Sequence, residues 1–244
     1  FLKVSRKIAI THGHEVWWSK VPPFNVAMRL IGNSVDHLTY LGNYTRNEIS
    51  RALSKSAKRA MVQIAPGIDT NFFKPVDAKN LRIELGVNDK EVIVSVGRLV
   101  PRKGQDELIK ALPEILKSRP NAHLLFVGSG PYKKDLEKLI AERSLQKHVT
   151  FTGRVLYENL PKYICVGDIF AMPSRSRLAG LEVEGLGIVY LEASACGLPV
   201  LGGDSGGAPD AVDEGVTGLV VDGRDSKAIA EGVIKLLQSD RVAM

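Results

Sequence analysis

Residues 92–112 read VIVSVGRLVPRKGQDELIKAL, an apolar run that passes through a basic loop into an amphipathic stretch. The run Val92–Val96 has the length and the β-branched content of a buried strand, and Gln105–Leu116 carries apolar residues at helical intervals. A strand followed at once by a helix is the repeating unit of a parallel sheet with helices on both faces. This stretch therefore predicts an α/β fold.

The same alternation extends along the chain in both directions. Before residue 92, the pattern predicts strands at Ile8–Thr11, His37–Leu41 and Met61–Ala65, and helices at Pro22–Gly32 and Tyr44–Lys58. After residue 112, it predicts strands at His123–Val127, Thr150–Thr152, Asp168–Met172, Pro199–Gly202 and Gly218–Val221, and helices at Lys133–Arg143, Glu158–Cys165, Gly187–Cys196 and Ser226–Leu237. Pro113 predicts either a kink or an early end in its helix.

A break in the pattern divides the chain. Pro66-Gly67 ends the third strand, and we place a domain boundary near Phe73–Val76, which gives domains of residues 1–75 and 76–244. The chain begins without Met, and Arg241-Val-Ala-Met ends it inside an apparent helix. The sequence therefore reads as a segment of a longer protein whose N-terminal domain is incomplete.

The composition is that of a soluble globular protein. The 244 residues are 44% hydrophobic and 25% charged, and we find neither a signal peptide nor an apolar run long enough to span a bilayer. Cys165 and Cys196 lie in apolar surroundings without metal-ligand spacing, which indicates buried thiols in a cytoplasmic protein, with a disulfide as the weaker alternative.

The net charge of +6 suits an anionic partner. Stacking aromatics are sparse and zinc-finger spacing is absent from the sequence, so nucleic acid is not expected as that partner. One basic stretch contains Arg51, Lys55, Lys58 and Arg59. A solvated helix face is favoured there over a membrane-surface patch.

The basic loop after Val96 is a candidate diphosphate site. In a parallel α/β sheet, ligands bind beyond the carboxyl ends of the strands. Gly97 allows a ligand to approach the backbone, and Arg98 and Lys103 place two cations close to a helix start. An ordinary basic loop is the alternative on this pattern alone.

Glu184 and Glu192 form a second candidate pair, eight residues apart, with Gly185 and Gly187 between them. If all eight steps were helical, the carboxylates would lie about 12 Å apart along the axis, which suits two acids that hold different parts of one long ligand. Free amides near Gly185–Gly187 could face a phosphate or a sugar hydroxyl. Two solvated glutamates are the alternative.

Together, these motifs resemble the family-4 retaining glycosyltransferases. The ordered set is Gly97-Arg98 with Lys103-Gly104, Glu184 to Glu192, Ala195-Cys-Gly197-Leu-Pro199-Val, Gly206-Gly207 and Gly218-Leu219-Val220. The sequence of residues 181–197, LEVEGLGIVYLEASACG, most resembles that of phosphatidylinositol mannoside mannosyltransferases that use GDP-mannose. The resemblance implies a GT-B fold, with two facing Rossmann-like domains.

The resemblance also implies roles for the matching residues. Arg98 and Lys103 would hold the donor diphosphate, Glu184 the donor sugar and Glu192 the ribose. Backbone near Arg154 and Val155 would meet the base, and Gly206 and Gly207 would let their loop approach the ligand. The donor-binding set is completed by the cradle of Gly97, Gly185, Leu186 and Gly187. His12, with His14 as second choice, would face the donor sugar.

The implied reaction transfers mannose to a glycolipid acceptor with retention of configuration. The leaving phosphate would take the acceptor proton, so no protein base is obligatory, and neither a metal nor a cofactor is expected. Such an enzyme would be cytoplasmic, either free or peripheral at the inner face of the plasma membrane. The family has a further stretch before its His-Gly motif, so this segment alone would be inactive if that stretch completes the site. A UDP-sugar donor with another acceptor and a non-catalytic nucleotide-sugar-binding fragment both stay open.

Two other classes fit less well. Gly203-Asp204-Ser205-Gly206-Gly207 is typical of the nucleophile segment of trypsin-like proteases, but those are all-β, and no His follows Ser205 as an α/β hydrolase requires. Gly128-Ser-Gly130-Pro lacks the third glycine of a dinucleotide-binding motif.

Overall fold

The chain folds into two parallel sheets that face one another. The structure, a computed structural model, describes residues 5–238. Its strands are β1 (Ile8–Ala9), β2 (His37–Tyr40), β3 (Met61–Gln63), β4 (Glu91–Val96), β5 (Ala122–Val127), β6 (Val149–Gly153), β7 (Ile169–Met172), β8 (Val200–Gly203) and β9 (Gly218–Val221). Its α-helices are α1 (Phe24–Ser34), α2 (Asn43–Ser50), α3 (Lys55–Arg59), α4 (Lys79–Glu84), α5 (Gln105–Ser118), α6 (Lys133–Glu142), α7 (Leu160–Ile164), α8 (Ile188–Ala195) and α9 (Ser226–Gln238).

The smaller unit is built on three strands in the order β1-β2-β3, all parallel. Helices α1 to α3 accompany this sheet, and its core contains Val16, Met28, Leu38 and Ile49. The first turn after β1, a 3-10 helix at His14–Ser19, packs against both α1 and α2. It therefore ties the loop after β1 to the helical layer.

The larger unit is built on six parallel strands in the order β6-β5-β4-β7-β8-β9. The chain winds outward from β4 to β6 and then returns to the other side of β4 with β7. Strand order thus reverses between β4 and β7, and a crevice opens at the carboxyl ends of these two strands.

Both faces of the larger sheet are buried, which explains the continuous apolar runs of its strands. In β4, Val92 and Val94 face a core that includes Tyr190 of α8, whereas Ile93 faces a core that includes Leu108 of α5. All four of these β4 and α8 side chains are fully buried. Each large apolar side chain buried in these two cores contributes about 1.5–3 kcal/mol of hydrophobic stabilisation.

The parallel α/β architecture is confirmed, and the structure differs from the sequence predictions in local detail. The predicted helix at 44–58 is two helices, because the chain turns at 51–54 and the Ser54 hydroxyl caps α3 by accepting from Ala57 N at 3.2 Å. Helix α5 runs through Pro113 to Ser118, so the early end is excluded. Helix α7 starts at Leu160, after a 3-10 turn, and α4 has no counterpart in the sequence prediction.

The domain boundary near Phe73–Val76 stays a prediction. Phe73 itself is buried in the core of the larger unit, together with Leu81 of α4. The final Arg241-Val-Ala-Met lies outside the described residues. Both cysteines are thiols, Cys196 buried as expected and Cys165 only half-buried. The hydrogen bond with Cys165 and, to a smaller extent, burial raise the pKa of Cys196.

Candidate active-site cleft

A cavity of about 910 Å³ opens between the two units. It lies where the strand order of the larger sheet reverses, and its lining includes Gly97 and Arg98 directly after β4. The smaller unit supplies the opposite wall, from the loop after β1 and from Leu41 after β2. Both walls therefore consist of residues that follow the carboxyl ends of parallel strands.

The basic loop after β4 is held by its glycines. Gly97 has a φ of +149°, and Gly104, with a φ of +75°, joins the 3-10 turn Pro101–Lys103 to α5. A Cβ at Gly104 would overlap the carbonyl oxygen of Pro173, which follows β7. The loop is thus fastened between β4 and β7, with the exposed Arg98 and the buried Lys103 both lining the cavity.

Lys103 and Arg102 converge on one carboxylate. Lys103 Nζ donates to Glu184 Oε2 at 2.7 Å, and Arg102 Nη1 donates to the same oxygen at 3.1 Å. Arg102 Nε also lies 3.8 Å from Glu182 Oε1. Burial lowers the pKa of Lys103, and Glu184 only partly offsets this effect. The predicted Lys103 and Glu184 therefore meet directly, in a preformed cluster of charges.

Arg102 is a cavity residue that the sequence analysis did not select. Its residue type and loop were visible, but spacing alone could not show which of the cations between Arg98 and Lys103 turns inward. The 3-10 turn at 101–103 turns Arg102 and Lys103 toward the same side.

Backbone contacts hold the loop that carries Glu184. Glu184 N donates to Ser205 Oγ at 3.1 Å, and Gly207 N donates to Glu184 O at 2.8 Å. A Cβ at Gly206 or at Gly207 would overlap the carbonyl oxygens of Glu184 and Gly185, respectively. Ser205 is 1% exposed, which suits this supporting role rather than that of a nucleophile.

That Gly206 and Gly207 let their loop approach the ligand stays a prediction. Neither residue is among those that line the cavity. Because glycine has no side chain, both residues leave room for the backbone of the Glu184 loop. Their direct effect is therefore on the position of the Glu184 carboxylate.

Glu192 lines the same cavity from α8, and burial raises its pKa. Because α8 begins at Ile188, Glu184 lies in the preceding loop, and the spacing expected for a continuous helix does not apply. Gly187 enters α8 with a φ of +79° and lies against the ring of Tyr190. Gly185, Leu186 and Gly187 all line the cavity, and their contact with a donor stays a prediction.

The smaller unit contributes His12 and His14 to the opposite wall, and both side chains are exposed. His12 N donates to Glu15 Oε2 at 3.0 Å, which fixes the loop between them. The structure places both imidazoles at the cavity and does not choose between them. Trp17, on the 3-10 turn that follows, also lines the cavity.

Two further predicted positions, like Gly206 and Gly207, lie outside the lining. Arg154 and Val155 follow β6, the edge strand of the larger sheet, two strands away from β4. Arg154 is exposed and Val155 is partly buried, so the base contact assigned to their backbone stays a prediction. Within residues 5–238, no three His, Cys, Asp or Glu side chains cluster as metal ligands would.

Comparisons with known proteins agree with this architecture. The family model "Glycosyl transferases group 1" matches residues 77–244. The chain is 49% identical to the GDP-mannose-dependent alpha-(1-6)-phosphatidylinositol monomannoside mannosyltransferase of Mycolicibacterium smegmatis, over 98% of this chain and 62% of that protein. It is 46% identical to a GDP-mannose-dependent monoacylated alpha-(1-6)-phosphatidylinositol monomannoside mannosyltransferase of Corynebacterium glutamicum, over 96% of this chain and 61% of that protein.

A crystal structure of Anabaena HepE in complex with UDP superposes with a TM-score of 0.80 at 26% identity, covering 93% of this chain and 61% of that one. The chain thus spans about three fifths of the length of the relatives it matches. Its motifs, its paired parallel sheets and these matches together show that the chain belongs to the glycosyl transferases group 1 family.

Proposed function

We propose that the protein containing this chain is a retaining mannosyltransferase that moves mannose from GDP-mannose onto a phosphatidylinositol mannoside or a similar glycolipid. The observation that carries the proposal is the cluster in which Arg102 and Lys103 meet Glu184 at the strand-order reversal. Such a cluster offers fixed cations for a diphosphate and a carboxylate for a sugar hydroxyl at one place. The relatives at 46–49% identity, which carry that activity in their names, support the choice of donor and acceptor.

In the proposed reaction, the bond between mannose C1 and the diphosphate oxygen breaks, and its electron pair leaves with the diphosphate. Arg98 and Lys103 stabilise that departing charge. The acceptor hydroxyl bonds to C1 on the same face, and its proton passes to the departing phosphate oxygen. His12 stabilises the sugar from the opposite wall, and Glu192 holds the ribose. These roles require no protein base.

A UDP-sugar donor is the second candidate. The HepE structure with UDP favours it, because that protein shares the fold at 26% identity. Diphosphate and ribose contacts are common to both nucleotides, so only the base pocket distinguishes them. A nucleotide-sugar-binding protein without transfer activity is the candidate from another class.

We further propose that the protein is cytoplasmic and docks on the anionic inner face of the plasma membrane. Support comes from the smaller unit, where α1 exposes Phe24, Val26 and Leu30 while the adjoining α3 exposes Lys55 and Lys58. Apolar and basic side chains side by side suit an anionic bilayer. No helix within residues 5–238 has the length and apolarity needed to cross one. Sedimentation with anionic vesicles at low and high salt tests the docking, and no binding in either condition would refute it.

The transfer assay uses a full-length protein that contains this chain. With GDP-mannose and phosphatidylinositol monomannoside, we expect an α-linked dimannoside whose anomeric configuration is read by NMR. Lys103→Ala and Arg98→Ala should lower turnover by at least tenfold, whereas the exposed Lys138→Ala on α6 should not change it. Nucleotide binding without any product would favour the non-catalytic candidate, and product formed only from a UDP-sugar would favour the second.

A further inference from the structure

A carboxylate of the larger unit caps a helix of the smaller unit. Asp210 Oδ2 accepts a hydrogen bond from Tyr44 N, the second residue of α2, at 3.1 Å. The N-cap position of α2 is Gly42, which has no side chain with which to cap its own helix. The first amides of a helix need an acceptor, and a residue 166 positions along the chain supplies it here.

Each partner in this contact is attached to one wall of the cavity. Asp210 lies in the 3-10 turn Ala208–Ala211, directly after Gly207, whose amide holds the Glu184 backbone. On the other side, α2 packs against the 3-10 turn 14–19 that follows His12, and the Thr45 methyl lies near Gly13. The capping contact therefore links the loop of Glu184 to the loop of His12 through a few direct contacts.

Two further contacts join the walls nearby. A Cβ at Gly13 would lie 2.8 Å from the Cα of Gly185, so these two backbones touch. Lys20 Nζ donates to Gly180 O of the larger unit at 3.2 Å and pairs with Glu48 of α2 at 3.1 Å. Among these contacts, only that of Asp210 pairs a carboxylate of the larger unit with a backbone amide of the smaller unit, Tyr44 N.

We propose that Asp210 is a positioning residue, which holds the two units at the separation that brings His12 opposite Glu184. The inference rests on the proposed function only where it predicts weaker binding of the mannosyl group; the contact between the units is independent of that function. The larger unit alone supplies Arg98, Lys103 and Glu192, so binding of the nucleoside diphosphate does not depend on Asp210. Contacts that also need His12 do depend on it.

The size of the effect follows from the cost of losing a cap. Replacing a capping side chain by Ala costs about 0.5–2 kcal/mol, and Asp210 is exposed, which places it toward the lower end. The arrangement with α2 capped should therefore become about 2- to 10-fold less populated in Asp210→Ala.

Gly42 offers an independent perturbation from the other unit. Its φ of −149° is accessible to any residue, but a Cβ there would overlap Asp210 Oδ2. Gly42→Ala should thus displace the Asp210 carboxylate from Tyr44 N and weaken the same capping contact as Asp210→Ala does. In the double variant the overlap is gone, so the two effects should not add. Asp213→Ala is the matched control, because Asp213 is exposed in the same segment and belongs to a turn with Thr217 inside the larger unit.

The first readout is amide hydrogen exchange of residues 43–50 in the whole chain, which requires no ligand. We expect 2- to 10-fold faster exchange in Asp210→Ala and Gly42→Ala, and wild-type exchange in Asp213→Ala. The second readout is calorimetric titration with GDP and GDP-mannose. GDP affinity should stay within twofold, while the additional affinity given by the mannosyl group should fall.

The outcomes separate the two proposals. Unchanged exchange in Asp210→Ala, or equal losses of GDP and GDP-mannose affinity, would overturn the positioning role. Faster exchange in a chain whose wild type binds no guanine nucleotide would support the contact between the units and count against the donor assignment. In a full-length protein, turnover should fall in Asp210→Ala and recover in part in Asp210→Asn, whose amide oxygen can still accept from Tyr44 N.

Discussion

Replacing Glu184 by Gln removes the carboxylate on which Lys103 and Arg102 converge. Glu184 Oε2 lies 2.7 Å from Lys103 Nζ and 3.1 Å from Arg102 Nη1, and the Glu184 and Lys103 side chains are 10% and 11% exposed. Removing one partner of a buried pair costs about 3–5 kcal/mol, because the other charge stays buried and unpaired. The pair borders an open cavity, which allows some hydration. We therefore expect Glu184→Gln to lower the free energy of unfolding by about 2–4 kcal/mol.

The opposite replacement should cost less. In Lys103→Met, the carboxylate keeps Arg102 as its partner, so we expect a loss of about 1–2 kcal/mol. The double variant should cost less than the sum of the two, by about 1–3 kcal/mol, because the buried Lys103 charge is then absent and Arg102 keeps Glu182 at 3.8 Å. Glu192→Gln is the control, because Glu192 lines the same cavity but takes part in no ion pair among the described residues, and it should change stability by less than about 1 kcal/mol.

Urea unfolding followed by circular dichroism at pH 7 measures all four variants. The reasoning would be refuted if Glu184→Gln cost no more than Glu192→Gln, or if the losses in the double variant were simply additive.

Three further predictions also concern the larger unit. Burial lowers the pKa of His123 from 6.5 to about 4, so between these pH values the unfolded state binds one more proton than the folded state. The free energy of unfolding should therefore fall by about 1–3 kcal/mol as the pH is lowered across that window. In urea titrations at several pH values, His123→Gln should lack this part of the loss. In Gly104→Ala, the new Cβ would be strained at a φ of +75° and would overlap the carbonyl oxygen of Pro173, so the free energy of unfolding should fall by about 2–4 kcal/mol. Gly215→Ala, at a φ of +82° with no atom close to the new Cβ, should cost about 1 kcal/mol. Equal shifts in the thermal unfolding of the two variants would contradict the reasoning. Because the pKa of Lys103 is lowered, its ammonium group should lose its proton, and nucleotide affinity should fall, at a lower pH than with an ordinary lysine. Lys103→Arg should keep its affinity as the pH is raised. Identical affinity profiles of the wild type and Lys103→Arg from pH 7 to 10 would argue against a contact with the diphosphate.

The sequence predicted the layers of the larger unit well, because its strands are buried on both faces and its helices are amphipathic. Val92–Val96 and Gln105–Leu116 were recognisable from the period of their apolar residues, and each differs from the observed element by at most two residues at either end. The single helix predicted at 44–58 was wrong because apolar residues keep their helical spacing across the turn at 51–54. Only the capping residue Ser54 marks the break in the sequence.

The site was predictable only where chemistry and position coincide in one stretch. Arg98 and Lys103 follow the end of β4, whereas Glu184 lies in the loop before α8 and Glu192 lies on α8. All four line the cavity. Contacts between distant segments leave no such local pattern. The support of the Glu184 backbone by Gly207 and the cap that Asp210 provides for α2 depend on how the two units meet, which no local periodicity encodes.

The most direct test of the donor assignment is calorimetric titration of this chain with GDP, GDP-mannose, UDP and UDP-glucose, without added metal. The same titrations on Arg98→Ala and Lys103→Ala test the diphosphate site, with Lys138→Ala as the control. We predict that the guanine nucleotides bind more tightly than the uracil nucleotides, and that both cavity variants lose this binding while the control retains it. Tighter binding of UDP and UDP-glucose, or unchanged GDP affinity in both cavity variants, would contradict the account.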